Sequence, residues 1–207
     1  SGDELVRGPD RPPITDLDRL PMPALDLLPL EKYRSLTLPR PFVSMVTSRG
    51  CPYYCRFCSQ AFVGGCHREH GIDRVLDEIG RALEVYKARE IVFFDETFTL
   101  NRDRVLAICG GILDRGLRHD FNIRTRADLL DDEVLEALAE AGCASIHVGI
   151  EAGSERIRKL MNKRLDLEKG ERALGRARRA RRQAQSRRDS DAQRRRLQRR
   201  RCHRGLG

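Results

Sequence analysis

Four short apolar segments, each followed by a stretch of helical periodicity, constrain this chain more than any other feature. Strands are predicted at Phe42 to Thr47, at Ile91 to Asp95 (IVFFD), from Phe121 (FNIRT) and from Ala144 to Ile150 (ASIHVGI). Between them Ile72, Val75, Leu76, Ile79, Leu83 and Tyr86 recur at helical spacing, as do Val105, Ile108 and Ile112, then Val134, Leu135 and Leu138. Asn101 and Asp131 stand where N-caps belong, Gly116 and Gly142 where helices stop, and Ser154 opens a fourth helix through Ile157, Leu160 and Met161. Repeated βα units imply an α/β protein with a mostly parallel sheet, each later unit taking roughly 25 to 30 residues. In such sheets the chemistry sits on loops at the carboxyl ends of the strands.

The pattern is bounded on both sides. Residues 1–40 are rich in Pro, Asp and Leu without a sustained period and read as an extended, partly docked linker. Residues 41–170 carry the βα repeat. Residues 171–207 hold fifteen Arg against Glu171, Asp189 and Asp191, and from 172 onward contain no Val, Ile, Phe, Tyr or Lys. Such a tail is expected to be disordered or a loosely helical arm. It also accounts for the net charge of +9, because residues 1–170 have 25 basic against 28 acidic side chains. The abrupt change after Gly170 is what a shifted reading frame in a GC-rich gene, or a truncation, would produce.

Seven cysteines, at 51, 55, 58, 66, 109, 143 and 202, disfavour a disulfide framework, since the number is odd and the polar N-terminal segment has no apolar core of a signal peptide. Cys109 and Cys143 fall in apolar contexts and read as buried small hydrophobes. No apolar run approaches the ~18 residues of a membrane span, so a soluble cytoplasmic protein is expected, without a membrane partner.

Cys51, Cys55 and Cys58 differ from the rest. In SRGCPYYCRFCSQ they stand at CxxxCxxC spacing directly after the first strand, so that three sulfurs converge on one point. Converging thiolates indicate a metal. Iron–sulfur clusters normally take four cysteines, and three suit a 4Fe-4S cubane whose fourth iron stays open to an exogenous ligand. The rival is a structural zinc site completed by Cys66 or His67, although zinc sites prefer paired CxxC turns and the step to Cys66 crosses Gly64-Gly65.

The motif, with Phe57 before its last cysteine, resembles the radical S-adenosylmethionine (SAM) superfamily. LPMPALDLLPLEKYR, FFDETFTLN, RTRADLLDDEVL and GIEAGSERIRKLMNK extend the likeness, over residues 15 to about 166, to the catalytic domain of its cobalamin-associated class. The resemblance implies a partial (β/α) barrel with about four of six βα units, and a cluster that binds SAM through its amino and carboxylate groups. It further implies reductive cleavage of the sulfonium to methionine and a 5′-deoxyadenosyl radical, with the cofactor carrying the chemistry and the protein aiming it. Radical methyltransferases and tetrapyrrole cyclases are the implied relatives. Cobalamin belongs to the full-length relative; an electron donor such as flavodoxin or ferredoxin and an unspecified small-molecule substrate are the implied partners.

By the same resemblance, Asp95 and Glu96 would contact the methionine ammonium, Arg124 and Arg126 the carboxylate, Glu151 the ribose hydroxyls, and Phe57 the adenine. Each has a plainer reading: capping or loop acidity for Asp95 and Glu96, a structural carboxylate for Glu151, surface or structural roles for the arginines, packing for Phe57. His67 and His70 are expected to face solvent and His147 to be a satisfied interior residue. A second reading, a zinc-stabilised nucleic-acid-binding protein with a basic arm, rests on the tail and the pI of about 9.6. The mildly acidic domain and the lack of aromatics in the arm weigh against it.

Overall fold

The fold is given by a computed structural model that describes Gly8, residues 11–58 and residues 65–180. Strands β1 (Phe42–Met45), β4 (Glu90–Phe93), β5 (Asp120–Thr125) and β6 (Cys143–Val148) form one sheet in the order β1-β4-β5-β6, every pairing parallel. A two-residue antiparallel ribbon, β2 (Ser48–Arg49) with β3 (Arg68–Glu69), closes the excursion that carries the cysteines. Helices α1 (Ile72–Glu84), α2 (Arg102–Asp114) and α3 (Asp132–Ala141) make the crossovers, and α4 (Glu155–Leu160) follows β6. All four predicted strands and the helices between them are therefore present, each strand end within two residues of its expected position.

The sequence signals act as anticipated. Asn101 accepts from the Arg104 amide and Asp131 from the Val134 amide, so each cap satisfies a donor the helix cannot. Gly142 ends α3 at φ 113°, a left-handed conformation that a Cβ would oppose. β4, in the interior of the sheet, is buried at all four positions, which explains its unbroken apolar run. Val43, Ile91, Phe93, Phe121 and Ile123 on the sheet meet Val75, Ile79, Val105, Ile108, Ile112, Val134 and Leu138 on the helices. Phe93 packs on Phe98 and edge-on to Phe121, with ring centroids 5.0 and 5.5 Å apart. Emptying one such site, as in Ile108→Ala, would cost roughly 2–5 kcal/mol.

Residues before β1 run as three 3-10 turns docked on the domain. Leu17 is buried, and the Asp18 carboxylate accepts from the Gly71 amide and from His70. Because Gly71 precedes α1 and offers no side-chain cap, Asp18 supplies the helix N-terminus with an anion from 53 residues away.

The expected boundary at residue 170 needs correction. Residues 167–180 are helical (α5), and Ala173 and Ala180 are buried against the core, so Ala rather than branched residues makes the contact. The remainder of the Arg-rich tail, including Cys202, lies outside the described residues. None of the helices among the described residues is long and apolar enough to cross a membrane.

Candidate functional site

The loop bearing the cysteines is clamped at its base. Asp95, fully buried after β4, accepts hydrogen bonds from the Thr47 hydroxyl and from the Ser48 amide and hydroxyl. Arg104 of α2, also buried, donates to the Thr47 and His70 carbonyls, 2.9 Å in each case, and to the Thr47 hydroxyl. The two residues thus tie together the chain entering the loop and the chain leaving it. Burial pushes the Asp95 carboxyl up, against the opposing pull of the Ser48 and Thr47 donors and the Arg104 charge.

Above this base, at the carboxyl edge of the sheet, lies a cavity of about 430 Å³, within the range of about 300–1,000 Å³ usual for small-molecule sites. Cys51, Cys55 and Cys58 line it with Phe57. Every strand end except β1, which leads into the cysteine loop, contributes residues: Glu96 and Thr97 after β4, Arg124 to Arg126 at β5, and His147, Val148, Gly149 and Glu151 at β6. Parallel pairing is the cause, because it brings all carboxyl ends to one edge. Thr97 Oγ1 stands 3.7 Å from the Cys51 sulfur.

The structure brings Phe57, Glu96, Arg124, Arg126 and Glu151 to this cavity and leaves Asp95 out of it. In the loop that follows β4, Asp95 turns into the base and Glu96 into the cavity; the expected ammonium contact at Asp95 is corrected to a role in holding the loop. Arg126 is buried, paired through two nitrogens with Asp128 at 3.0 and 2.8 Å, and stacked 4.0 Å from the Tyr53 ring centroid. Arg124 is exposed, 3.8 Å over the Phe94 ring, with no hydrogen bond or ion pair from its side chain among the described contacts. Glu151 sits in a left-handed conformation, φ 65°, and bonds Lys163 at 2.9 Å.

Residues 45–184 match the Radical SAM superfamily. The chain belongs to that superfamily. An uncharacterized methyltransferase of Pyrococcus horikoshii is 38% identical over 156 residues, covering 75% of this chain and 34% of the relative. The anaerobic magnesium-protoporphyrin IX monomethyl ester cyclase of Rubrivivax gelatinosus is 31% identical over 173 residues, covering 83% and 31%. Among solved structures, the cobalamin-dependent S-adenosylmethionine radical enzyme OxsB superposes with TM-score 0.58 at 27% identity, over 65% of this chain and 22% of that one. The methyltransferase TsrM of Kitasatospora setae, solved with cobalamin and a [4Fe-4S] cluster, gives 0.61 at 21%, over 68% and 29%, and bears on the fold alone. The chain spans about a third of the length of the curated relatives it matches.

As a radical SAM domain, the chain has the fold its resemblance implied, a partial barrel with four parallel βα units described. The family's cofactors are a 4Fe-4S cluster and SAM, and the donor set fits the cluster: three thiols on one loop, facing one cavity. Among the described residues no three Cys, His, Asp or Glu side chains are grouped closely enough for a single metal ion. A zinc ion needs its ligands about 2.0–2.3 Å away in one tetrahedron, whereas a cluster offers each thiolate its own iron and takes thiols set further apart. Nor do the proposed fourth zinc ligands reach the site. Cys66 is exposed outside the cavity, and both His67 nitrogens are taken, by the Gly50 carbonyl at 3.0 Å and Glu69 at 2.9 Å. The zinc-stabilised nucleic-acid reading is without support.

The three histidines also depart from expectation. His67 and His70 are held by Glu69 and Asp18, which a loop position does not reveal, while His147 is exposed at the cavity and not interior. Cys109 and Cys143 are buried as expected, and burial pushes the Cys109 thiol up to about 12. Sequence reasoning missed Tyr53, Thr97, Thr125 and Lys163. The first lies within the motif and the next two lie beside residues already singled out, so proximity was a usable signal. Lys163, 105 residues after Cys58, gave none beyond its place at the end of GIEAGSERIRKLMNK.

Proposed function

We propose that Cys51, Cys55 and Cys58 hold a 4Fe-4S cluster at the cavity and that SAM fills the space above it, making this chain the cofactor-cleaving part of a radical SAM methyltransferase or cyclase of the cobalamin-associated type. The observation that carries the reading is the convergence of all three motif cysteines with the polar ends of β4, β5 and β6 on one cavity. When bound, the cluster supplies the electron for reductive cleavage of SAM, and the protein supplies binding and aim.

The side chains divide the work by their chemistry. Glu96, exposed to the cavity, accepts from an ammonium. Arg124 presents its planar fork to a carboxylate, since stacking on Phe94 fixes the plane and leaves the N–H groups unspent. Arg126 serves instead to hold Tyr53 and Asp128 in place. Glu151 suits ribose hydroxyls, and the half-exposed Phe57 ring suits an adenine face. The apolar part of the lining limits water around the reacting bond.

Cobalamin use, an electron donor of the flavodoxin or ferredoxin kind, and a cytoplasmic location complete the proposal. The first is suggested by OxsB, and the last by an oxygen-sensitive cluster and thiols that suit a reducing compartment. The test is anaerobic reconstitution with iron and sulfide. About four of each per chain are expected, with an EPR signal on reduction that changes when SAM is added. Protein that takes up no iron, or whose cluster signal ignores SAM, would overturn the reading.

A further inference from the structure

We infer that Lys163 is the counter-charge of the cysteine-bound cluster, a positioning residue whose ammonium makes the cluster easier to reduce and which Glu151 restrains from the solvent side. This rests on the functional reading above.

Lys163 is only 7% exposed. Lysines are almost never buried so far without a compensating charge. Glu151, its ion-pair partner at 2.9 Å, has a side chain 34% exposed, so the pair could have formed at the surface. Other contacts draw the lysine inward. Its Nζ lies 5.6 Å from the Phe57 ring centroid, and it lines the same cavity as the three cysteines. Gly149 leaves room for the pair, because a Cβ there would meet Nζ at 2.7 Å and run into the Glu151 carboxylate.

The place of the ammonium relative to the thiols is fixed by the backbone. The Met161 carbonyl accepts from the Arg56 amide at 2.9 Å, and the Asn162 side chain donates to the Tyr54 carbonyl at 2.7 Å. Met161, Asn162 and Lys163 therefore meet Arg56, Tyr54 and Phe57 respectively, three of the residues interleaved with the cysteines. Two buried cations, Lys163 and Arg126, line the cavity with Cys51, Cys55 and Cys58. Arg126 is already balanced by Asp128 through two hydrogen bonds. Among the described residues the Lys163 charge is balanced by a carboxylate nearer to solvent, where it is more strongly screened.

Three thiolates bring negative charge to the site, and reduction adds one electron without removing any. A cation held in a partly dry cavity stabilises that added charge, and cluster potentials respond to local charge and exposure. Removing the ammonium should lower the midpoint potential, and neutralising its restraining carboxylate should raise it.

The experiment uses wild type, Lys163→Gln, Lys163→Arg and Glu151→Gln, reconstituted anaerobically, assayed for iron and sulfide, and titrated with a chemical one-electron reductant under EPR without SAM. Lys163→Gln is expected to lower the reduced-to-oxidised ratio at a fixed potential on the order of tenfold, about 59 mV for a one-electron couple. Lys163→Arg should stay near wild type and Glu151→Gln should move in the opposite direction. A loaded Lys163→Gln protein with the wild-type midpoint overturns the inference. Should that variant fail to take iron, Glu151→Gln decides, and a midpoint unmoved or shifted downward overturns it equally. Wild type without iron would overturn the functional reading itself, a different outcome from a loaded wild type indifferent to residue 163.

Discussion

The side-chain amide of Asn162 donates a 2.7 Å hydrogen bond to the carbonyl of Tyr54, joining the turn after α4 to the middle of the cysteine motif across 108 residues. Asn162 holds φ at 53°, a left-handed conformation that Asn tolerates better than Ala. Asn162→Gly should keep the backbone and lose the bond, while Asn162→Ala should lose both, each bond of this kind being worth about 1 kcal/mol. The expected outcome is faster bleaching of visible cluster absorbance in air for Gly and faster still for Ala. Equal bleaching rates in all three proteins would rule out a brace.

Cys66 gives a clean contrast with the motif cysteines. It is exposed and absent from the cavity lining. Cys66→Ala should reconstitute with wild-type iron and sulfide, whereas Cys51→Ala, Cys55→Ala and Cys58→Ala should each lose most of both. Metal analysis of the four variants checks this, and loss of iron in Cys66→Ala would reinstate that thiol as a ligand.

Two arginines two residues apart should fail differently. Arg126 is buried with its charge balanced by Asp128, and removing one partner of a buried pair costs about 3–5 kcal/mol. Arg126→Gln should therefore lower Tm markedly. Arg124→Gln should leave Tm near wild type and weaken SAM binding at least tenfold, about 1.4 kcal/mol. Thermal unfolding paired with SAM titration of the reconstituted proteins separates the two.

Asp18 links stability to pH. Burial pushes its carboxyl up, but the Gly71 amide, His70 and Arg74 outweigh that and hold it below the usual 3.8. A value depressed on folding means that the stabilisation is complete above the unfolded value and is lost as pH falls through the folded one. Asp18→Asn should cost about 1 kcal/mol or less at neutral pH, the side chain being 45% exposed and screened. The difference from wild type should shrink below about pH 3.8. Denaturant unfolding at several pH values measures it, and a gap that widens in acid would contradict the assignment.

Much of the scaffold was legible in the chain because its causes are local. Val75, Leu76 and Ile79 share a helical face, Asn101 and Asp131 reach amides three residues on, and Gly142 supplies its own left-handed turn. The contribution of α5 was not legible, since Ala173 and Ala180 gain burial from a neighbouring surface, and their own hydropathy does not announce it. His67 and His70 were misread for the same reason, their partners Gly50, Glu69 and Asp18 being set by the loop's closure and the linker's path.

That Cys51, Cys55 and Cys58 lie together on one loop was determined by the sequence alone: spacing within eight residues lets these thiols converge, whatever surrounds them. Only the tertiary structure decided what faces them. The path of the loop after β4 sent Asp95 into the base and Glu96 into the cavity, and pairing with Asp128 separated a committed Arg126 from an available Arg124. Lys163 arrived beside Phe57 through hydrogen bonds spanning more than a hundred residues. Contacts of that range depend on the path of every intervening element, and no local pattern encodes them.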